Sequence, residues 1–162
     1  MIMAGLVFAI TIAAVPPEFE KSHDRFNGIT EIFTSTNLDS STFITVAGFY
    51  KGKEFGENSI HQYRLSFWAH GKDWRYLRCH GVSMLADDVP VDLPESTHDG
   101  RVLSHSVSES VTLKIERSVL EAIANSKTSE VRICGDEWKI PQKMKSLVKR
   151  ILDDMTPRKS EP

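Results

Sequence analysis

The chain has 162 residues, of which 40% are hydrophobic and 26% charged, with a formal net charge of −2 and a pI near 6.3. That length suits one domain able to bury a core without help from metal or disulfide. The slight negative balance gives no electrostatic footprint for nucleic acid or an anionic membrane, so neither is expected as a partner.

Met1 to Val15 carries no charge and a single hydroxyl, Thr11. As a helix it would span about 22 Å, short of the roughly 30 Å hydrocarbon core of a bilayer. An export signal is therefore expected, with Ala13-Ala14 ahead of Val15-Pro16-Pro17 as a processing point. No Lys or Arg precedes the apolar run, so an uncleaved membrane anchor and an ordinary N-terminal segment are the competing readings. Residues 16–23, opened by two prolines, read as a linker. The folded body is expected from about Asp24 to Thr156 as one α+β domain, with a polar tail at 157–162.

Gly28 to Thr36 and Phe43 to Tyr50 are β-rich and separated by the turn residues Asn37 to Ser41. Lys51 to Asn58 is a polar connection containing glycine. His61 to Ala69 alternates, with Tyr63, Leu65, Phe67 and Ala69 opposed to Arg64, Ser66, Trp68 and His70. A glycine-containing turn at His70-Gly71-Lys72-Asp73 then suggests that Trp74 to Leu85 returns as the second strand of a hairpin. Two prolines between Asp87 and Pro94 confine any strand there to a sheet edge.

Leu103 to Glu116 alternates most strictly. One parity holds Leu103, His105, Val107, Glu109, Val111, Leu113 and Ile115; the other holds serines, Thr112, Lys114 and Glu116. Such alternation marks a sheet with one buried and one wet face, the usual antiparallel pattern. A single straight strand of this length would run about 45 Å, so a bulge is expected around Ser106 to Ser110. The period then changes. Ser118-Val-Leu-Glu121 is a capping-box signature for a short helix ending near Ser126. Glu130 to Cys134 and Glu137 to Ile140 flank Gly135-Asp136, read as a two-residue hairpin turn with Gly135 at positive φ. Pro141 opens a second helix whose Met144, Leu147, Val148, Ile151, Leu152 and Met155 follow i, i+3, i+4 spacing.

Strands before residue 116 and helices after it argue for an α+β fold. It would be a mostly antiparallel sheet (about 28–116 plus a 131–140 hairpin) with two C-terminal helices packed on it, and a helix-decorated β-sandwich as the alternative.

His105 and Glu109 are the polar intruders on the apolar parity, about 13 Å apart on a straight strand and so beyond direct acid–base reach. Together with His80 they are the candidates for a catalytic centre. The bland reading makes Glu109 a buried hydrogen-bond acceptor, with Arg78 or Arg132 as its partner. No histidine pair has metal-ligand spacing, although His70 and His80 would face each other across the expected hairpin; no metal site and no cofactor are expected. No nucleophile elbow, P-loop or dinucleotide fingerprint occurs. Trp68, Trp74, Arg75 and Tyr76 on one hairpin are candidates for binding a ligand by stacking and hydrogen bonding. Export would permit a Cys79–Cys134 bridge, but Cys134 lies on the parity opposite Val131 and Ile133, which favours two half-buried thiols.

The reading this supports is a small exported or envelope-associated binding or structural module without catalysis. Its partner would be a protein or a small ligand. The alternatives are a small hydrolase or metal-dependent enzyme using the inward His and Glu residues, and a membrane-tethered partner-binding subunit.

Overall fold

The structure is a computed structural model that describes residues 18–157. The expected export signal at 1–15 and most of the tail lie outside the described residues. The strands are β1 (Phe19–Asp24), β2 (Ile29–Asn37), β3 (Thr42–Lys51), β4 (His61–Gly71), β5 (Val82–Ala86), β6 (Val89–Val91), β7 (Thr97–Leu103), β8 (Ser106–Ile115), β9 (Ser129–Ile133) and β10 (Asp136–Lys139). The helices are α1 (Arg117–Asn125) and α2 (Gln142–Asp154). The fold is α+β and its strands are antiparallel. They divide between a six-stranded sheet, β1-β2-β3-β4-β8-β7, and a four-stranded sheet, β10-β9-β5-β6. That second sheet is a feature only the sandwich alternative anticipated.

One apolar core joins the inner parity of the large sheet (Ile32, Ile44, Leu65, Phe67, Val111, Leu113) to Met84, Val131 and Ile133 of the small sheet. Leu120 and Ile123 of α1 and Met144, Val148 and Ile151 of α2 complete it. At its tightest point α2 ends directly above β3, where a Cβ on Gly48 would collide with Met155 Sδ. The two helices also cap each other. Lys145 of α2, 3% exposed, donates from Nζ to the carbonyls of Ser126 (3.0 Å) and Lys127 (2.7 Å) just beyond α1. Arg117 of α1 donates to the Met155 carbonyl (3.0 Å), so each helix supplies a cation to the other's carbonyl end.

Four expectations need correction. Phe19–Asp24, mostly read as linker, is instead a strand: β1 pairs along β2, and the Arg150 guanidinium stacks 3.8 Å above the Phe19 ring. The alternating run does not bulge at 106–110 but breaks at Ser104-His105, a two-residue turn that pairs Leu103 with Ser106. The 134–137 turn is Cys134-Gly135, and Cys134 itself holds φ +57°. The capping box is not made: Glu116 occupies the cap position without a side-chain bond, and Glu121 instead accepts from Arg117 Nε at 2.9 Å.

The expected hairpin after β4 also fails. β4 is flanked on one edge by β3 and on the other by β8, so no edge remains for a returning strand. Residues 72–81 leave the sheet, and the chain re-enters strand structure only at β5, in the other sheet. A disulfide between Cys79 and Cys134 ties this segment to the β9–β10 turn, overturning the expectation of two free thiols. Parity misled because Cys79 lies in a loop and Cys134 in a turn, where strand alternation does not apply.

Candidate functional site

Strict alternation in β8 places Glu109 on the inner face, 2% exposed. Register sets it between Ala69 of β4 and Gly100 of β7, neighbours without bulky side chains. The space is filled from segment 72–81. Glu109 Oε1 accepts from the Arg75 backbone N–H at 2.6 Å, and Oε2 from that of Tyr76 at 3.1 Å. His98 of β7 places Nε2 2.9 Å from the same Oε2. The Trp74 ring lies 5.8 Å from the His98 ring and presses on Gly100, where a Cβ would have no room. The His80 ring also stacks on His98, at 5.8 Å.

Glu109 is thus a buried acceptor, as its parity suggests, but its partners are not Arg78 or Arg132. Two consecutive backbone N–H groups and a histidine satisfy it, while Arg132 pairs at the surface with Glu137 at 3.5 Å. His105 is not brought to Glu109, because it occupies the exposed β7–β8 turn. The histidine that does reach Glu109 is His98, in the sequence His98-Asp99-Gly100-Arg101, whose Asp-Gly pair reads as a turn signal but which lies within β7. Only the tight turn at Ser104-His105, which sets Val111 opposite His98, would have revealed it. With three donors on one carboxylate and both side chains shielded, this cluster pins segment 72–81 across the end of the core. His70 and His80 do not meet either: His70 stacks with Phe43 on the outer face of the large sheet. Among the described residues no group of three or more His, Cys, Asp or Glu is placed to hold a metal ion.

The four candidate binding residues separate. Tyr76 is buried and donates its hydroxyl to Asp136 Oδ2 at 2.9 Å. Burial and that bond hold its phenol well above the usual tyrosine range. Arg75 pairs with the same carboxylate oxygen at 2.9 Å and reaches Thr42 Oγ1 at 3.0 Å. Trp74 is half-buried against His98. Trp68 alone lies on the outer face of the large sheet, 37% exposed, its ring within 5° of parallel to that of Phe43.

That outer face carries a groove of about 320 Å³ lined by Trp68, Asp99, Gly100, Arg101, Ser108, Glu109 and Ser110. Pairing fixes its layout. Trp68, Ser110 and Asp99 form one row across β4, β8 and β7; His70, Ser108 and Arg101 form the next. Ser108 and Ser110 are each only 8% exposed, yet neither hydroxyl bonds any group among the described residues. The next row differs, since Thr112 Oγ1 donates to Ser66 Oγ at 3.0 Å and Thr97 Oγ1 to the Thr112 carbonyl at 3.2 Å. Asp99 accepts from the Gly100 N–H through Oδ1 alone, and the Arg101 guanidinium pairs with no acidic group among the described residues. A second groove, about 390 Å³, lies over the small sheet. Its charged side chains are already matched, Arg132 with Glu137 and Lys139 with Glu130.

Sequence reading finds Trp68 in this groove but not its companions. The serines read as the wet parity of an alternating strand, and Asp99 and Arg101 as parts of a turn. No family model, curated protein or solved structure matches the chain.

Proposed function

We propose that the protein is a non-catalytic binding module whose ligand site is the outer groove between Trp68 and the Asp99–Arg101 edge. One observation carries this reading: Ser108 and Ser110, each only 8% exposed as residues, line the groove, and neither hydroxyl bonds a protein group among the described residues. Their oxygens open onto the groove, so they are free to bond a ligand or the water it displaces. A partly exposed tryptophan beside them supplies contact area at little entropic cost. The inner cluster suits catalysis less well, because Glu109 already accepts three hydrogen bonds and the His98 and Glu109 side chains are only 9% and 2% exposed. The Cys79–Cys134 bridge supports work in an oxidising compartment, in keeping with the exported or envelope-associated reading.

Thermal-shift screening against separate panels of saccharides, nucleotides, amino acids and fatty acids tests the reading. At least one panel should raise the melting temperature, and Trp68→Ala should abolish that rise while unfolding cooperatively on its own. Failure of every panel at millimolar concentration, or a rise that Trp68→Ala leaves intact, would count against the groove.

A further inference from the structure

We infer that the ligand of this groove is a neutral saccharide, taken either as a free oligosaccharide or as a segment of a polysaccharide; the inference rests on the outer groove being the binding site. Its walls differ in chemistry. On one side the Trp68 indole is backed by Phe43, centroid 6.1 Å away, and Phe43 in turn by His70 at 6.0 Å, so the exposed ring is held in place. On the other side, among the described residues, Asp99 accepts through one carboxylate oxygen only and Arg101 makes no ion pair. Between them lie the unmatched hydroxyls of Ser108 and Ser110.

Charge narrows the choice. Of the two acidic residues in the lining, Glu109 turns its carboxylate to the inner face. That leaves Asp99 and Arg101 as the charged side chains on the outer face; these cancel, and no second cation lines the groove. A phosphate or a nucleic-acid backbone calls for clustered Arg and Lys, and an acidic sugar would set its carboxylate against Asp99. A lipid chain needs a mostly apolar lining, whereas Trp68 is the one large apolar side chain here. What remains is a neutral ligand with one C–H face and a rim of hydroxyls, which describes a pyranose. Its C–H face would lie on the indole. Its hydroxyls would donate to Asp99, accept from Arg101, and do either with the serines, whose O–H both donates and accepts. In the adjoining row Thr112 and Thr97 already donate their hydroxyls within the protein, so fewer groups are open to a ligand there.

The test is titration of the full chain, followed by intrinsic tryptophan fluorescence and calorimetry. The neutral probes are cello-, malto-, manno-, xylo- and chitotetraose; the controls are tetragalacturonate, AMP and a C12 fatty acid. Sedimentation with insoluble cellulose, chitin and mannan distinguishes a polymer from a free oligosaccharide. At least one neutral probe should bind, and Trp68→Ala and Asp99→Asn should each weaken it roughly tenfold or more. Asp99→Asn and Ser110→Val lie outside the core, so they keep the test decisive if Trp68→Ala unfolds. Trp68-dependent binding of AMP, the acidic sugar or the fatty acid with no neutral saccharide bound would overturn this inference and leave the groove reading standing. Silence from every probe would take down both. Saccharide binding indifferent to Trp68, Asp99 and Ser110 would overturn the assignment of the ligand to this groove.

Discussion

Glu109 gathers two backbone N–H groups and one imidazole from segments 33 and 34 residues before it and 11 before it in the chain. Removing the carboxylate leaves buried donors unmatched, each worth about 1–3 kcal/mol. Glu109→Ala should therefore lower unfolding free energy by about 2–4 kcal/mol in a denaturant titration. Glu109→Gln keeps one acceptor but turns an NH₂ toward a neighbouring N–H, so it should fall between Ala and wild type. A Glu109→Ala loss below about 0.5 kcal/mol, the range of ordinary surface changes, would mean the carboxylate does not hold segment 72–81. Asp39 plays a similar part in the open. Burial opposes its charge, but hydrogen bonds from Ser41, Thr42 and the Trp138 indole outweigh that and keep its carboxyl below the usual range. It thereby fastens the β2–β3 turn to β10 through Trp138 Nε1 at 2.8 Å.

Among the elements, α2 shows how amphipathic spacing becomes stability. Its apolar positions all follow one periodicity, but burial separates them: Ile151 is fully buried against the core, while Leu147 is only half-buried. Ile151→Ala should cost about 2–5 kcal/mol, the range for truncating a core aliphatic side chain. Leu147→Ala should cost clearly less, because solvent already reaches it. Equal losses by chemical denaturation would show that the helix sits differently on β2 and β3. The β7–β8 pair teaches the converse lesson. The sequence alternates without a break from Leu103 to Ile115, although the turn sets Leu103 on the face of Ser106 and not on that of Val107, so periodicity alone cannot say that two strands are present.

At the scale of the molecule, segment 72–81 links the two sheets. Its ties are the Glu109 clasp, the Arg75 and Tyr76 bonds to Asp136, and the Cys79–Cys134 bridge. The cysteines are 55 residues apart, and closing such a loop in the unfolded chain is worth about 4 kcal/mol on the chain-entropy account. The Cys79→Ser/Cys134→Ser variant should thus lose about 2–4 kcal/mol yet still fold, since the non-covalent ties remain. Wild type under reductant should match it. A native protein that reacts with a thiol reagent before unfolding would refute the bridge. The sequence alone determined what is local: which faces of β3, β4 and β8 are buried, where the strand-rich region gives way to helices, that a proline confines β6 to an edge, and that Glu109 points inward. Each follows from side-chain alternation or backbone restriction within a few residues. Only the tertiary structure decided that the strands split into two sheets, that His98 rather than His105 meets Glu109, that the cysteines join, and that Trp68, Ser108, Ser110, Asp99 and Arg101 share a groove. Those outcomes depend on register and on which strand edges are already taken, and both are set by pairings between segments far apart in the chain.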